Sequence, residues 1–309
     1  KYILIPLLIL IFNNSLAQDS INVVAKRSYT AMPLEIGQTP VIDGLLNDKG
    51  WEVAEWTSNF TEFEPDNATP PGQKTKFRIV YDKKFLYIGV RCYDTEPSKI
   101  EKRLARRDNF AGDWIEINID SYNDKRTAFS FTVTAAGVKN DEFISENGEN
   151  WDESWNPIWY TAANIDDEGW TAEMKIPFSQ LKFGKQKEQN WGMQMNRRLF
   201  REEERSLWQH VPLDTPGWVS EYGELRGLKN IQPQKQLEIQ PFVVNQLDTY
   251  PEEVGNPFRD GSDFILNGGL DSKIVITNDI TMDLTVNPDF GQVDADPGAI
   301  ELDGFQIFF

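Results

Sequence analysis

The sequence predicts an all-β chain: an antiparallel, jelly-roll-like β-sandwich followed by the first strands of a β-barrel. Three observations predict it. From about residue 38, short runs alternate apolar and polar residues with period two. Turn signals rich in Gly, Asp and Asn separate them at regular spacing. No stretch sustains a helical repeat.

Along the chain, residues 1–18 ("KYILIPLLILIFNNSLAQ") combine a lysine, an apolar run and a small-residue site. This pattern predicts a secretory signal peptide, cut after Ala17 or Gln18. Residues 19–37 are a polar lead-in. "TPVIDGLLNDKGWEVAEW" (39–56) reads as a strand, a turn at Asp43-Gly44 and a short helical or looped piece. "TKFRIVYDKKFLYIGVRCYD" (75–94) is a hairpin turning at residues 82–84. "DWIEINID" (113–120) and "RTAFSFTVTAAG" (126–137) are alternating strands around a turn, and "VKNDEFIS" follows as another. An aromatic loop, "ENGENWDESWNPIWY" (146–160), precedes a hairpin over 161–181. The sandwich is expected to span about 38–230.

Beyond it, "LEIQPFVVNQL" (237–247), "DFILNGGLDSKIVI" (263–276) and "ITMDLTVNPDFG" (280–291) alternate over longer runs. Roughly ten alternating residues per segment is the pattern of a transmembrane β-barrel strand. Three such segments are too few to close a barrel. The expectation for 231–309 is therefore the start of an outer-membrane-type barrel, continued further along a longer protein. The competing reading makes these strands part of a soluble β-domain.

Composition supports a folded core: 39% of the 309 residues are hydrophobic, with 10 Trp, 19 Phe and 9 Tyr. A net charge of −18 argues against nucleic acid, whose phosphates such a surface repels. With one cysteine, Cys92, no internal disulfide forms, and the residue reads as a buried strand thiol. The sole histidine, His210, leaves no His/Cys zinc cluster. Neither a GxSxG elbow nor a phosphate-cradling loop is present.

Among polar residues, "RRDNFAGDWIEINID" (106–120) stands out. Its strand puts Ile115, Ile117 and Ile119 on one face, expected to be core, and Trp114, Glu116 and Asp120 on the other. Glu116 and Asp120 stand roughly 13 Å apart along it, too far for a glycosidase pair. The loop from Arg106 to Asp113 remains as a place for a sugar or a cation. In the aromatic loop, Trp151 and Trp155 lie among Asn150 and Asp152. An indole stacks on the apolar face of a pyranose while amides and carboxylates hold its hydroxyls. These four residues and Arg107, whose planar fork holds hydroxyls or a carboxylate, are the sugar-binding candidates. Packing is the alternative for both tryptophans. Trp159, Trp170 and Trp51 read as core. Trp56, Trp191, Trp208 and Trp218 carry no discriminating signal. Arg197 and Arg198 alternate, so one faces inward and needs a carboxylate partner.

"PVIDGLLNDKGWEVAEW", "VYDKKFLYIGVRCYD", "GDWIEINID" and "GWTAEMKIPFSQL" together resemble, in order, signature blocks of the family 9 carbohydrate-binding module, over roughly residues 38–225. The tail, "LTVNPDFGQVDADP" (284–297), resembles the start of the barrel-like region of an outer-membrane family that opens with such a module. The resemblance implies a sandwich with bound calcium, poly- or oligosaccharide binding between aromatic rings, and a place in a Gram-negative envelope. No EF-hand spacing is present. Asp108, Asp113, Asp120 and Asp124 are the candidate calcium ligands; solvated turn acids are the alternative. Three functions stay open: capture of carbohydrate, linked to its catabolism at the envelope; a structural plug or periplasmic domain without a sugar; and part of a glycoside hydrolase whose catalytic portion lies elsewhere.

Overall fold

Ile115, Ile117 and Ile119 are all fully buried. Each withdraws a side chain from water, contributing about 1.5–3 kcal/mol, and the sandwich is built on such alternation. The computed structural model describes residues 25–288, apart from 109, 111, 233–236, 253, 257–260 and 278–279. The expected signal peptide lies outside the described residues.

Two sheets form the sandwich. Its strands are β1 (Ser28–Thr30), β2 (Met32–Pro33), β3 (Thr61–Glu64), β4 (Thr75–Tyr81), β5 (Phe85–Tyr93), β6 (Trp114–Asp120) and β7 (Ala128–Thr134). There follow β8 (Lys139–Ser145), β9 (Asn150–Asp152), β10 (Tyr160–Asp166), β11 (Gly169–Pro177), β12 (Glu188–Leu199), β13 (Glu204–Leu207) and β14 (Gly223–Lys229). The larger sheet runs β1-β14-β12-β6-β7-β8-β9, with β13 on β12 and β3 on β13; the smaller runs β10-β11-β5-β4-β2. Pairing is antiparallel except at two short edge strands, β1 on β14 and β2 on β4. Between the sheets pack Phe129, Phe131, Met193 and Met195 from one side and Phe77, Ile88, Trp170 and Met174 from the other. The expected hairpins over 75–94 and 161–181 are β4–β5 and β10–β11.

The outer face of the smaller sheet is also covered. The segment before β3 folds over it through α1 (Lys49–Glu52), and Trp51 is fully buried there. A Cβ on Gly89 would stand 3.1 Å from the Trp51 ring, so β5 needs glycine at this crossing. Glu173 of β11 binds the segment down: the backbone N–H groups of Asp43 and Gly44 and the Trp51 indole N–H all donate to its carboxylate, at 2.9, 2.7 and 2.8 Å. Gly44 sits at φ +89°, a conformation glycine adopts without strain.

Arg197 faces inward and Arg198 outward, as alternation predicts. The expected carboxylate contact is replaced. Arg197 donates to the carbonyls of Lys74 and Tyr93 and to the Thr75 hydroxyl, while Asp113 is a nearby charge. Cys92 is a buried thiol, pushed up to about 11 by burial.

A third sheet follows, of β15 (Leu237–Thr249), β16 (Ser262–Thr277) and β17 (Ile280–Val286), paired in that order and antiparallel. Its register sorts side chains by face. Leu237, Ile239, Val243 and Leu247 of β15 share one face with Phe264 and Leu266 of β16 and Met282, Leu284 and Val286 of β17, and all are exposed. The opposite face carries rows such as Glu238, Lys273 and Asp283. The described residues form an open sheet of three strands, not a closed barrel.

Candidate functional site

Alternation has a second consequence on β6, β7 and β8. Positions between the core residues are polar and short, and they face away from the smaller sheet. Register aligns them in rows: Asn196, Glu116, Thr132 and Asn140 lie side by side, with Asn118, Ser130 and Glu142 in the next row. An outward sheet face is ordinarily solvated. Here Asn118, Ser130, Thr132 and Asn140 are all fully buried, because the segment before β14 lies over one end with Val219 and Tyr222.

Burial this deep is tolerated when polar atoms are paired. Several on this face have no partner among the described residues: Ser130 Oγ, both amide atoms of Asn140, and Asn196 Oδ1. Glu116 anchors the floor, accepting from Asn118 Nδ2 at 2.8 Å and from Asn196 Nδ2 and the Thr132 hydroxyl at 3.3 Å. Burial raises its carboxyl above the ordinary range, and Arg205 opposes the rise. Aromatic rings rim the face. Trp218 meets Phe63 at 5.7 Å and Tyr222 at 6.3 Å between centroids, and the Arg205 guanidinium lies over both Trp218 and Phe63. Trp114, half-buried, ends the floor on β6.

The sequence-based candidates divide. Trp151 pairs with Ile144, so it stands at the end of this same face, packed with Ala128 and Tyr222, its indole N–H donating to Gly148 O at 2.9 Å. Trp155 turns the other way and packs on the core rings of Phe129 and Phe131, at 5.0 and 5.4 Å. Asn150 donates to the Ser145 hydroxyl, and Asp152 accepts from Ser154. Arg107 donates to both carboxylate oxygens of Asp141 at 2.7 Å and to Pro157 O, fixing its loop along β8 rather than projecting free.

The calcium candidates are dispersed among three places. Asp108 accepts from the Asp141 N–H beside β8. Asp113 accepts from Glu101 N–H at 2.8 Å. Asp120 and Asp124 do share the β6–β7 turn, but their oxygens accept turn N–H groups: Asp124 and Lys125 donate to Asp120, Arg126 and Thr127 to Asp124. Among the described residues no group of three or more such ligands gathers. These residues do not fit a calcium shell.

Sequence reading missed Glu116's neighbours Asn118, Ser130, Asn140 and Asn196, and Trp218. A signal was present: a solvated sheet face usually carries long charged side chains throughout, whereas this one sets Asn, Ser and Thr around Glu116 and Glu142.

These features describe a β-sandwich whose larger sheet offers a buried polar floor with an aromatic rim. Residues 42–205 match the family described as "Carbohydrate family 9 binding domain-like", and the chain belongs to that family. Residues 233–309 match a "Domain of unknown function (DUF5916)". No curated protein sequence matches the chain. Among solved structures, a candidate carbohydrate-binding protein from Bacteroides uniformis is similar in fold, with TM-score 0.53 and 14% identity over 65% of this chain and 99% of that one. A family 9 carbohydrate-binding module from Caldicellulosiruptor kristjanssonii, solved with cellotriose, has TM-score 0.49 and 16% identity over 67% of this chain and 95% of that one.

Proposed function

We propose that this chain captures oligo- or polysaccharide on the outward face of β6, β7, β8 and β12. One observation carries the reading: the unpartnered amide and hydroxyl atoms of Ser130, Asn140 and Asn196, which Val219 and Tyr222 cover and which a sugar would reach when that segment lifts from the face. Each such group costs about 1–3 kcal/mol while unsatisfied. Sugar hydroxyls both donate and accept, so one ring can satisfy several together. The ring's apolar C–H face would lie against the aromatic rim of Trp218 and Phe63. Membership of a carbohydrate-binding family supports the same reading.

The proposal extends to location. The amino-terminal apolar run supports export. The exposed apolar face of β15–β17, with a polar face behind it, is the alternation of a lipid-facing barrel strand. An exported sandwich held at an outer membrane would position glycans at the cell surface for catabolism.

Calorimetric titration with soluble oligosaccharides tests the binding reading. Asn140→Ala is expected to weaken binding about tenfold or more, since it removes both a donor and an acceptor. Unchanged affinity would move the site off this face.

A further inference from the structure

Away from the polar floor, a cleft of about 430 Å³ opens at the edge of the smaller sheet, a volume within the range of small-molecule sites. Alternation along β11 puts Lys175 on the outer face with Glu173, and pairing sets Tyr160 of the edge strand β10 directly across from Lys175. The segment folded over this face contributes Val41 to the lining, and the start of β8 contributes Lys139.

The charge of this lining runs against that of the whole chain. Net charge is −18, yet among the described residues the cleft is lined by two lysines and no carboxylate. Neither ammonium has an ion-pair partner among those residues. Lys139 Nζ donates to the Trp159 carbonyl at 3.0 Å, which leaves two of its three donors. The acids whose charge reaches it, Asp141 and Asp108, are engaged: Asp141 accepts from Arg107 and the Trp159 indole, and Asp108 accepts from the Asp141 N–H. Lys175 Nζ lies over the rings of Phe85 and Tyr160, 4.3 and 5.6 Å from their centroids.

Beside these cations is an apolar surface. Tyr160 and Val41 are both exposed. A phenol ring receives the C–H face of a pyranose, and an ammonium forms its strongest hydrogen bonds with a carboxylate. A neutral sugar leaves both lysines without a counter-charge, and a bare anion leaves the ring uncovered. An oligouronate carries one carboxylate per ring, so each lysine can meet its own.

We infer that this cleft is a second glycan site, selective for sugars that bear a carboxylate, with Lys139 and Lys175 as counter-ions and Tyr160 as the surface under the ring. It shares no residue with the polar floor, so it stands or falls apart from the reading of that face.

Calorimetry at pH 7 and low salt on the 309-residue chain tests it. The probes are α-1,4-linked trigalacturonate, its neutral methyl ester, and acetate. Trigalacturonate is expected to bind about tenfold tighter than the ester, and more weakly as salt is added. Lys175→Gln keeps much of the stem and removes the charge, and should bring that ratio to near one. Tyr160→Ser, at an exposed edge position where folding is not at stake, should weaken both trimers about fivefold. Asn140→Ala, on the polar floor, should leave trigalacturonate affinity unchanged. No binding of trigalacturonate, equal binding of acid and ester, or a preference that survives Lys175→Gln overturns the inference. So does acetate that competes at the trimer's own concentration, which would make the cleft a bare anion site. Loss of trigalacturonate binding in Asn140→Ala would also overturn it, by moving the uronate to the floor.

Discussion

Glu173 does its work as a single buried acceptor of three N–H groups. It ties the Asp43-Gly44 turn and Trp51 to β11, so three of the signature blocks meet in one contact set, with Gly89 supplying the room for Trp51. Glu173→Ala would leave those donors unpaired and is expected to cost roughly 2–3 kcal/mol. Thermal unfolding should register this as a fall of about 5–10 °C for a domain of this size. Acid titration offers a second check. Burial raises Glu142 and Glu173 from the ordinary 4.5 to about 7, and Asp120 from 3.8 to about 6. Between those limits the folded protein holds more protons than the unfolded chain, so stability falls as pH rises. Melting temperature is expected to be higher at pH 5 than at pH 7.5. Glu142→Gln should flatten that difference; an unchanged slope would show that Glu142 is not protonated in the fold.

At the scale of elements, the informative unit is the β6–β7–β8 face. Alternation in "DWIEINID" identified Ile115, Ile117 and Ile119 as core without any structure, and the hairpins over 75–94 and 161–181 were legible in the sequence. The polar side of the same strands was equally legible as a pattern. Its burial was not, because it depends on Tyr222 and Val219 arriving from a segment roughly a hundred residues away. For the same reason the aromatic loop misled. Four-residue spacing brings Trp151 and Trp155 close in sequence, yet β9 pairing sends the first to the polar face and packing on Phe129 sends the second to the core. Their substitutions should separate accordingly. Trp155→Ala is expected to lose about 2–4 kcal/mol of stability with little change in sugar affinity. Trp218→Ala should lose affinity about tenfold as well as stability, because its ring also packs on Phe63 and Tyr222. Calorimetry and thermal unfolding on the same samples decide between these roles.

Over the whole molecule, two kinds of surface coexist. The sandwich hides nearly all its large aromatic residues, and the chain carries a net charge of −18. The sheet of β15–β17 instead exposes one apolar face, with Val243 at 69% and Leu247 at 65%. That contrast was visible in sequence as a change in run length near residue 236. A chain limited to 25–232 is expected to stay in the aqueous phase and retain sugar binding. The longer chain should partition into detergent or vesicles; equal behaviour of the two would remove the membrane reading. The polar face of the sandwich nonetheless remains the proposed place of sugar capture. Its most direct test is a crystal structure of the protein with a bound oligosaccharide. A sugar ring is expected over Asn118, Ser130 and Asn140, with Trp218 or Phe63 against its C–H face. A sugar seated instead on the Asn150–Asp152 loop, with that floor unoccupied, would contradict it.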